Sequence, residues 1–131
     1  MREIKFRAWD IIDKRMISWR ELLDYGSGLA DYLEHPNELV FQQFTGLLDK
    51  NGEEIYEGDI VRWDNGIAKD EYRGSIWQII WDNDYAQFTL KLIKGLFTDT
   101  PYFKRHWRHY LEIIGNIYSN PELLNSKGGE G

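Results

Sequence analysis

Cysteine is absent from this 131-residue sequence. Its absence excludes a disulfide framework, thiolate chemistry and any zinc site built from cysteines. Long apolar runs are missing too, since none approaches the roughly 20 residues that span a bilayer. The N-terminus carries charges throughout and lacks the apolar core of a signal peptide. We therefore expect a cytoplasmic protein with no membrane partner.

Motifs for catalysis and for cofactor binding are also missing. No serine lies in a nucleophile elbow, and Gly26-Ser27-Gly28 lacks the third glycine of a dinucleotide fingerprint. Residues 49–60 begin like a calcium loop, but Gly52 falls at position four and Ile60 replaces the final glutamate. We expect no enzymatic activity, and hence no catalytic residues, no cofactor and no metal.

Four carboxylates cluster in the same stretch, at Glu53, Glu54, Glu57 and Asp59. Paired carboxylates can bind a cation or perform acid–base work. A solvated turn, in which Asp59 bonds to local backbone, is the interpretation that the sequence favours.

The overall charge is acidic, with 22 Asp and Glu against 16 Lys and Arg and a formal net charge of −6. This balance disfavours a broad electrostatic nucleic-acid surface. The charge is also uneven. Residues 1–20 hold six basic and three acidic residues, whereas residues 21–84 hold four basic and fifteen acidic ones. Patches of opposite sign suit self-association at least as well as an outside partner.

Aromatic residues are abundant, with six Trp and eight Tyr. Flat rings cover pleated surfaces well, so this composition favours β structure in a single ordinary domain. Two-residue alternation and apolar runs predict strands at residues 3–9, 15–19, 39–44, 60–63, 75–81, 86–93 and 112–118. Turn residues at 10–14, 49–52, 57–59 and 64–66 separate several of these strands. A β-bulge is expected at Gly115.

We predict a mostly β fold, an SH3-like small β-barrel with an N-terminal β-hairpin and short helical segments. The hairpin and a connecting loop occupy residues 1–42, and the barrel domain with its closing turn occupies residues 43–124. Residues 125–131 form a disordered tail. The helical segments are expected at 29–34, after a cap at 98–101, and from Asn120 through Leu124.

Three blocks of the sequence carry a family resemblance. They are REIKFRAWD at residues 2–10, FTGLLDKNG at 44–52 running into EIYEGDIV at 54–61, and IGNIYSNPELL at 114–124. In composition and joint spacing they resemble the YopX family of phage and prophage proteins. The resemblance implies a mostly β protein with an SH3-type barrel and a phage or prophage origin. It implies no activity and transfers no catalytic residue to this chain.

One basic run with an interleaved aromatic ring lies at residues 104–109. Cations beside a stacking ring suit single-stranded nucleic acid. The candidate nucleic-acid-binding residues are Lys104, Arg105, Trp107 and Arg108. Alternatively, the ring packs inward while its neighbours stay solvated, or the run pairs with acidic residues of another subunit. His106 and His109 would share one face of a helix, but no third metal ligand is apparent nearby.

Two functional classes remain at this point. The first is a non-catalytic module that forms a homo-oligomer or captures a protein partner, because rings are enriched in interface cores and strand edges need covering. The second is a nucleic-acid-binding accessory factor that uses residues 104–109. A hairpin that folds back on its own barrel, giving a monomer, is the competing explanation for the first.

Overall fold

The first of two antiparallel sheets contains the N-terminal hairpin. A computed structural model describes residues 3–24, 34, 38–64, 74–95 and 109–125 of the protein. The strands of the first sheet are β1 (Phe6–Asp10), β2 (Arg15–Ile17), β3 (Leu39–Leu48) and β4 (Glu54–Tyr56). Their order across the sheet is β2-β1-β3-β4. A short helix, α1 (Trp19–Asp24), follows β2.

The second sheet is built from the remainder of the described chain. Its strands are β5 (Asp59–Trp63), β6 (Ile76–Asp82), β7 (Gln87–Lys94) and β8 (Leu111–Asn116), in the order β7-β6-β5-β8. A 3-10 helix at Pro121–Leu124 follows β8. Strands account for 53% of the described residues. The predicted fold class, mostly β and consistent with a small barrel carrying an N-terminal hairpin, is confirmed.

Helix α1 differs from the sequence-based prediction, which placed a strand at residues 15–19 and no helix at 19–24. The Ser18 hydroxyl accepts a hydrogen bond from Glu21 N at 3.2 Å, and the Glu21 carboxylate lies 3.4 Å from Ser18 N. This reciprocal pattern is a capping box, which the sequence reading did not recognise. The predicted helix after 98–101, the turn at 65–66 and the tail from 126 lie outside the described residues, as does the 29–34 segment apart from Glu34.

The two faces of the first sheet make different contacts. Ala8, Ile17 and Leu39 are buried on one face, where they pack with Leu22 of α1. Since side chains alternate along a strand, Arg7 and Trp9 point to the opposite face. That second face turns toward the second sheet and carries the polar contacts described below.

The larger core lies with the second sheet. It consists of buried apolar side chains, two of them tryptophans: Ile55, Val61, Trp63, Trp77, Ile79, Leu90 and Leu111. The indole N–H of Trp77 donates to Ser75 Oγ at 2.7 Å, so the buried polar atom of this large ring has a partner. The barrel prediction rested on these apolar strands, and they supply its core.

The turn between β3 and β4 joins the two sheets. Asp49 Oδ1 accepts from the backbone N–H groups of Asn51 and Glu53 at 2.8 and 2.9 Å. Its second oxygen accepts from Ile113 N of β8 at 3.0 Å. The predicted 49–52 turn is therefore also a tie between β4 and β8, because one buried carboxylate satisfies donors from both sheets.

The bulge predicted in β8 is present. Ile60 pairs with Gly115, whereas the next residue, Val61, pairs with Ile113, so Ile114 is the extra residue. A Cβ on Gly115 would lie 2.6 Å from Asn120 Oδ1, so the position has no room for a larger residue.

The closing turn expected from Asn120 through Leu124 is present as a 3-10 helix, and Asn120 is the residue that precedes it. Its side chain makes no capping bond to that helix. Instead, Asn120 Oδ1 accepts from Asn116 N at 3.2 Å, which fixes the end of β8.

Strand β3 runs through residues 42 and 43, pairing with β1 through Gln43 and with β4 from Phe44 onward. The division of the chain into segments 1–42, 43–124 and 125–131 stays a prediction.

Candidate functional site

A buried ion pair joins the two sheets at the centre of the molecule. Arg7 Nη2 of β1 donates to Asp59 Oδ1 of β5 at 2.7 Å, and Arg7 Nε donates to Gln42 Oε1 at 2.8 Å. The second oxygen of Asp59 accepts from Tyr56 N at 2.8 Å. The guanidinium also lies over the Tyr56 ring, 4.7 Å from its centroid. Every member of this cluster therefore has a partner.

Asp59 is 1% exposed, so the expectation of a solvated turn is wrong for this residue, although its bond to local backbone is present. Burial raises the pKa of its carboxyl, and Arg7 opposes that shift. The carboxylate is a structural anchor, because both of its oxygens already accept hydrogen bonds from the protein.

A second ion pair lies beside the first. Lys5 Nζ pairs with Glu54 and lies 4.8 Å from the centroid of the Phe44 ring. The hydrogen bond to Glu54 raises the pKa of Lys5. Tyr56 OH donates to the same carboxylate at 3.3 Å, and burial raises the pKa of this phenol well above its usual value. At neutral pH the phenol is protonated and the lysine is charged.

These residues form the wall of a cleft of about 380 Å³, here named the hairpin cleft. Its lining includes Lys5, Arg7, Met16, Trp19, Glu54 and Tyr56. Both inner cations are already paired, with Glu54 and Asp59, and the outer cation Arg20 pairs with Asp24 at 3.5 Å. The hairpin cleft therefore offers rings and polar atoms but little unbalanced charge for an anionic ligand.

Among the described residues, no group of three or more His, Asp or Glu side chains is arranged to hold a metal ion. Likewise, none of the helices within the described ranges is long and apolar enough to cross a membrane.

A second depression, here named the aromatic groove, lies between the two sheets. It has a volume of about 340 Å³. Its lining is of mixed polarity. The apolar part comes from β3, β6 and the segment after β8, and the polar part from Gln42, Glu57 and Gln78. The apolar residues include Val40, Phe41, Ile80, Trp81, Ile117 and Tyr118. Tyr118 stacks on Trp9 with ring centroids 6.0 Å apart. Rings and branched aliphatic side chains of this kind form the cores of protein interfaces.

Gly58 shapes the floor of the aromatic groove. Its φ of +89° is a conformation that glycine adopts readily, and a Cβ here would lie 3.4 Å from the Tyr118 ring. Burial raises the pKa of Tyr118, with Glu57 nearby adding to the shift. This phenol, like that of Tyr56, is protonated at neutral pH.

Two strand edges border the aromatic groove. Beyond its pairing with β1, β3 pairs with β4 only from Phe44 onward, and β6 pairs with β5 only as far as Gln78. Among the described strands, none covers Phe41 or Trp81 on the groove side. Open edges beside an apolar surface are sites at which a further segment can be added.

The turn between β1 and β2, residues 11–14, projects from the surface and is here named the hairpin tip. It exposes two adjacent isoleucines, Ile11 at 46% and Ile12 at 68%. Asp10 Oδ1 accepts from Ile12 N and Asp13 N at 2.9 Å each, and Lys14 N donates to the Asp10 carbonyl at 2.8 Å. The hairpin tip is therefore a fixed apolar projection.

The predicted nucleic-acid-binding residues Lys104, Arg105, Trp107 and Arg108 lie outside the described residues, as does His106. His109 is exposed and lies two residues before the start of β8 at Leu111. The aromatic groove was missed because its residues come from three segments far apart in sequence. The hairpin tip was missed because the turn was read as polar, although two adjacent isoleucines between Asp10 and Asp13 are an apolar signal.

Fold and surfaces together define a small, mostly β protein of two antiparallel sheets with a groove of mixed polarity between them. The model of the family described as "YopX protein" matches residues 5–125. The chain therefore belongs to the YopX family, as its three sequence blocks suggested. Its structure is similar to the crystal structure of protein EF1440 from Enterococcus faecalis, with a TM-score of 0.63 and 30% sequence identity. That match covers 95% of this chain and 100% of the other.

The comparison with curated proteins finds no match. Neither the YopX family nor the Enterococcus faecalis neighbour comes with an assigned activity. What the protein does is therefore argued below from its own surfaces.

Proposed function

We propose that this protein is a non-catalytic interaction module of phage or prophage origin that assembles with copies of itself in the cytoplasm of a bacterial host. The observation that carries the proposal is a pair of exposed apolar surfaces on one chain. The hairpin tip projects Ile11 and Ile12, and the aromatic groove leaves the ring of Trp81 38% exposed. Burial of such surfaces between molecules is the main favourable term in protein association.

A non-catalytic role is supported by the state of the polar groups. The phenols of Tyr56 and Tyr118 have raised pKa values and are protonated. Asp59 and Lys5 are engaged in ion pairs inside the fold. A catalytic acid or base must present its proton or lone pair to the substrate, whereas both oxygens of Asp59 and the ammonium group of Lys5 are bound by partners within the fold.

The apolar surfaces, rather than charge, support self-assembly. The excess of positive charge in residues 1–20 suggested that the hairpin lies against an acidic neighbour. Four of those cations, however, pair with acids of the same chain: Lys5 with Glu54, Arg7 with Asp59, Arg15 with Glu21 and Arg20 with Asp24. Little of that charge remains for a partner.

Light scattering coupled to size exclusion tests the proposal directly. We expect a mass of at least twice the 15.6 kDa of one chain at micromolar concentration. A mass of one chain across the micromolar range would overturn self-assembly. Deletion of residues 1–20 is not a usable test, because β1 is a central strand and its Arg7 anchors the second sheet. Point substitutions on the surface must replace it.

The nucleic-acid alternative rests on the basic run at 104–109 and stays a prediction. It is separated from self-assembly by a titration of tryptophan fluorescence with single-stranded DNA at low and moderate salt. Phosphate contacts weaken steeply as salt rises, because binding releases counterions. The absence of any binding at low salt would remove this alternative.

A further inference from the structure

The turn between β3 and β4 contains a chemically reactive pair of residues. Asn51 is exposed, and Gly52 follows it directly. The backbone nitrogen of the residue after an asparagine can attack the side-chain amide carbon, and glycine leaves that nitrogen unshielded because it has no side chain. A second pair of this kind, Asn65-Gly66, lies outside the described residues. Asn51 is therefore a candidate site of spontaneous covalent modification.

The modification is deamidation through a cyclic imide. The Gly52 nitrogen bonds to Asn51 Cγ, the Cγ–Nδ2 bond breaks, and Nδ2 leaves as ammonia with the proton of the Gly52 N–H. Water then opens the imide at either of its two carbonyl carbons. Opening at Cγ gives aspartate, whereas opening at the backbone carbonyl gives isoaspartate, in which the main chain runs through Cβ and Cγ and is one carbon longer. Water is the only co-reactant.

The folded turn restrains this reaction at both reacting groups. The Gly52 N–H, which must be released before its nitrogen can attack, donates to the Asp49 carbonyl at 3.0 Å. The Asn51 backbone N–H donates to Asp49 Oδ1 at 2.8 Å. The Asn51 side-chain amide donates to Glu112 Oε2 of β8 at 3.5 Å, which opposes its rotation toward Gly52. The reaction therefore requires the turn to open, and local opening of a native protein costs free energy.

The products would disturb the contacts that tie this turn to β8. The Asn51 amide donates to Glu112, whereas a carboxylate at position 51 would face Glu112 as a like charge. The longer main chain of isoaspartate would also displace Gly52 and Glu53, whose N–H groups both bond to Asp49. Asp49 is the residue through which the turn joins the two sheets, so the disturbance would extend beyond the turn.

We propose that Asn51 is a site of spontaneous deamidation, which the folded β3–β4 turn slows and whose products loosen the tie between β4 and β8. Each opening of the turn gives the Gly52 nitrogen access to Asn51 Cγ. Because the products weaken the contacts that kept the turn closed, an aged molecule is less stable than a new one. Self-assembly is not needed for this reaction.

The first test follows Asn51 in the whole protein at mildly alkaline pH, which favours deprotonation of the attacking nitrogen. Trypsin cleaves after lysine and arginine, so the asparagines at 51, 65 and 83 fall in different peptides, and mass spectrometry measures the products of each. We expect Asn51 to convert at least about tenfold more slowly in the folded protein than in the same chain unfolded in guanidinium chloride. Equal rates at Asn51 in the two states would overturn the inference.

Asn83 is the matched control within the same chain. It is exposed in the turn between β6 and β7, but Asp84 follows it, and the side chain of Asp84 shields the attacking nitrogen. In the unfolded chain Asn83 should therefore convert more slowly than Asn51. Equal conversion of the two asparagines there would show that Gly52 does not make Asn51 reactive, which also overturns the inference.

The second test opens the turn. Asp49→Ala removes the carboxylate that accepts from Asn51 and Glu53, so Asn51 should convert at least about twofold faster than in the folded parent protein, as expected for the loss of a hydrogen bond. Circular dichroism must show that this variant is folded. If it is not, Glu112→Ala replaces it, because it frees the Asn51 side chain and leaves Asp49 in place. An unchanged rate in the folded variant would contradict the restraint by the turn.

The third test measures the consequence for stability. Asn51→Asp supplies the charge of the product without the longer main chain, and we expect Tm to fall by about 2–4 °C. The fall should be smaller in a Glu112→Gln background, where no like charge faces position 51. The aged parent protein should lose Tm in proportion to its converted fraction, whereas an equally aged Asn51→Gln protein should not. A parent protein that is converted at Asn51 but keeps its Tm would overturn the proposed loosening.

Discussion

At the scale of single residues, the buried Arg7–Asp59 pair is one of the contacts that join the two sheets. Replacing Arg7 by Gln would leave a buried carboxylate without its cation, which we expect to lower the free energy of unfolding by about 3–5 kcal/mol at pH 7. Arg15→Gln is the control, because its pair with Glu21 is exposed, and exposed pairs contribute about 0–1 kcal/mol. Urea denaturation of both variants measures the difference. Equal losses would show that the buried pair is not an anchor.

The loss of stability caused by Arg7→Gln should also depend on pH. The folded-state pKa of Asp59 is raised by burial, so its contribution to stability is present below the unfolded pKa and is lost as pH rises through the folded pKa. Arg7 lowers the pKa of Asp59, so this pKa is higher still in the Arg7→Gln variant. The variant therefore loses more stability than the parent protein as the pH rises. The stability gap between parent and Arg7→Gln should therefore shrink from pH 7 toward pH 4. A difference in stability that grows as the pH falls would contradict this prediction.

Gly58 gives a second residue-scale prediction. Alanine at its φ of +89° is expected to cost about 1–2 kcal/mol through backbone strain. The new methyl group would lie 3.4 Å from Tyr118 and 3.7 Å from Ile117, which is ordinary van der Waals contact, so backbone strain sets the cost. Gly52→Ala is the matched control, since its φ is +84° and nothing lies within 4 Å of its Cβ position. Thermal denaturation should show similar losses for the two variants, and a clearly larger loss for Gly58→Ala would mean that the groove floor cannot accept the methyl group.

At the scale of elements, the β3–β4 turn acts as a tie between the sheets. Asp49→Ala removes three acceptor contacts, including the one to Ile113 N of β8, and leaves partly buried donors without partners. We expect a loss of about 2–4 kcal/mol in the free energy of unfolding. Asp10→Ala removes two local turn bonds, from the N–H groups of Ile12 and Asp13 in the exposed hairpin tip, and should cost about 1 kcal/mol or less because these donors can bond to water instead. Similar losses in both variants would show that the tie to β8 contributes little.

The elements also show how far the sequence could predict the structure. Strands with clear alternation or apolar runs were predicted close to their observed bounds, and so was the bulge at Gly115, because those signals are local. Helix α1 was missed, since its capping box at Ser18 and Glu21 was not recognised in a segment that otherwise looked weak. The partners of Arg7 and Asp49 are distant in sequence, and a single sequence does not reveal which strands become neighbours. The aromatic groove was missed for the same reason.

At the scale of the whole molecule, the net charge of −6 sets how assembly should respond to salt. Copies of one acidic protein repel each other, and ions screen that repulsion over about 10 Å at 0.1 M ionic strength. Apolar burial is not weakened by moderate salt.

We therefore expect the association constant of the parent protein to rise, or at least not to fall, between about 20 and 150 mM salt. Sedimentation equilibrium at the two salt concentrations measures it, with the Ile4→Glu variant as a control that adds one further negative charge. That variant should gain slightly more from salt than the parent, because its self-repulsion is larger. Assembly that weakens steeply with salt would instead mean that charge pairs hold the copies together. Burial of the apolar surfaces would then not be the basis of self-assembly.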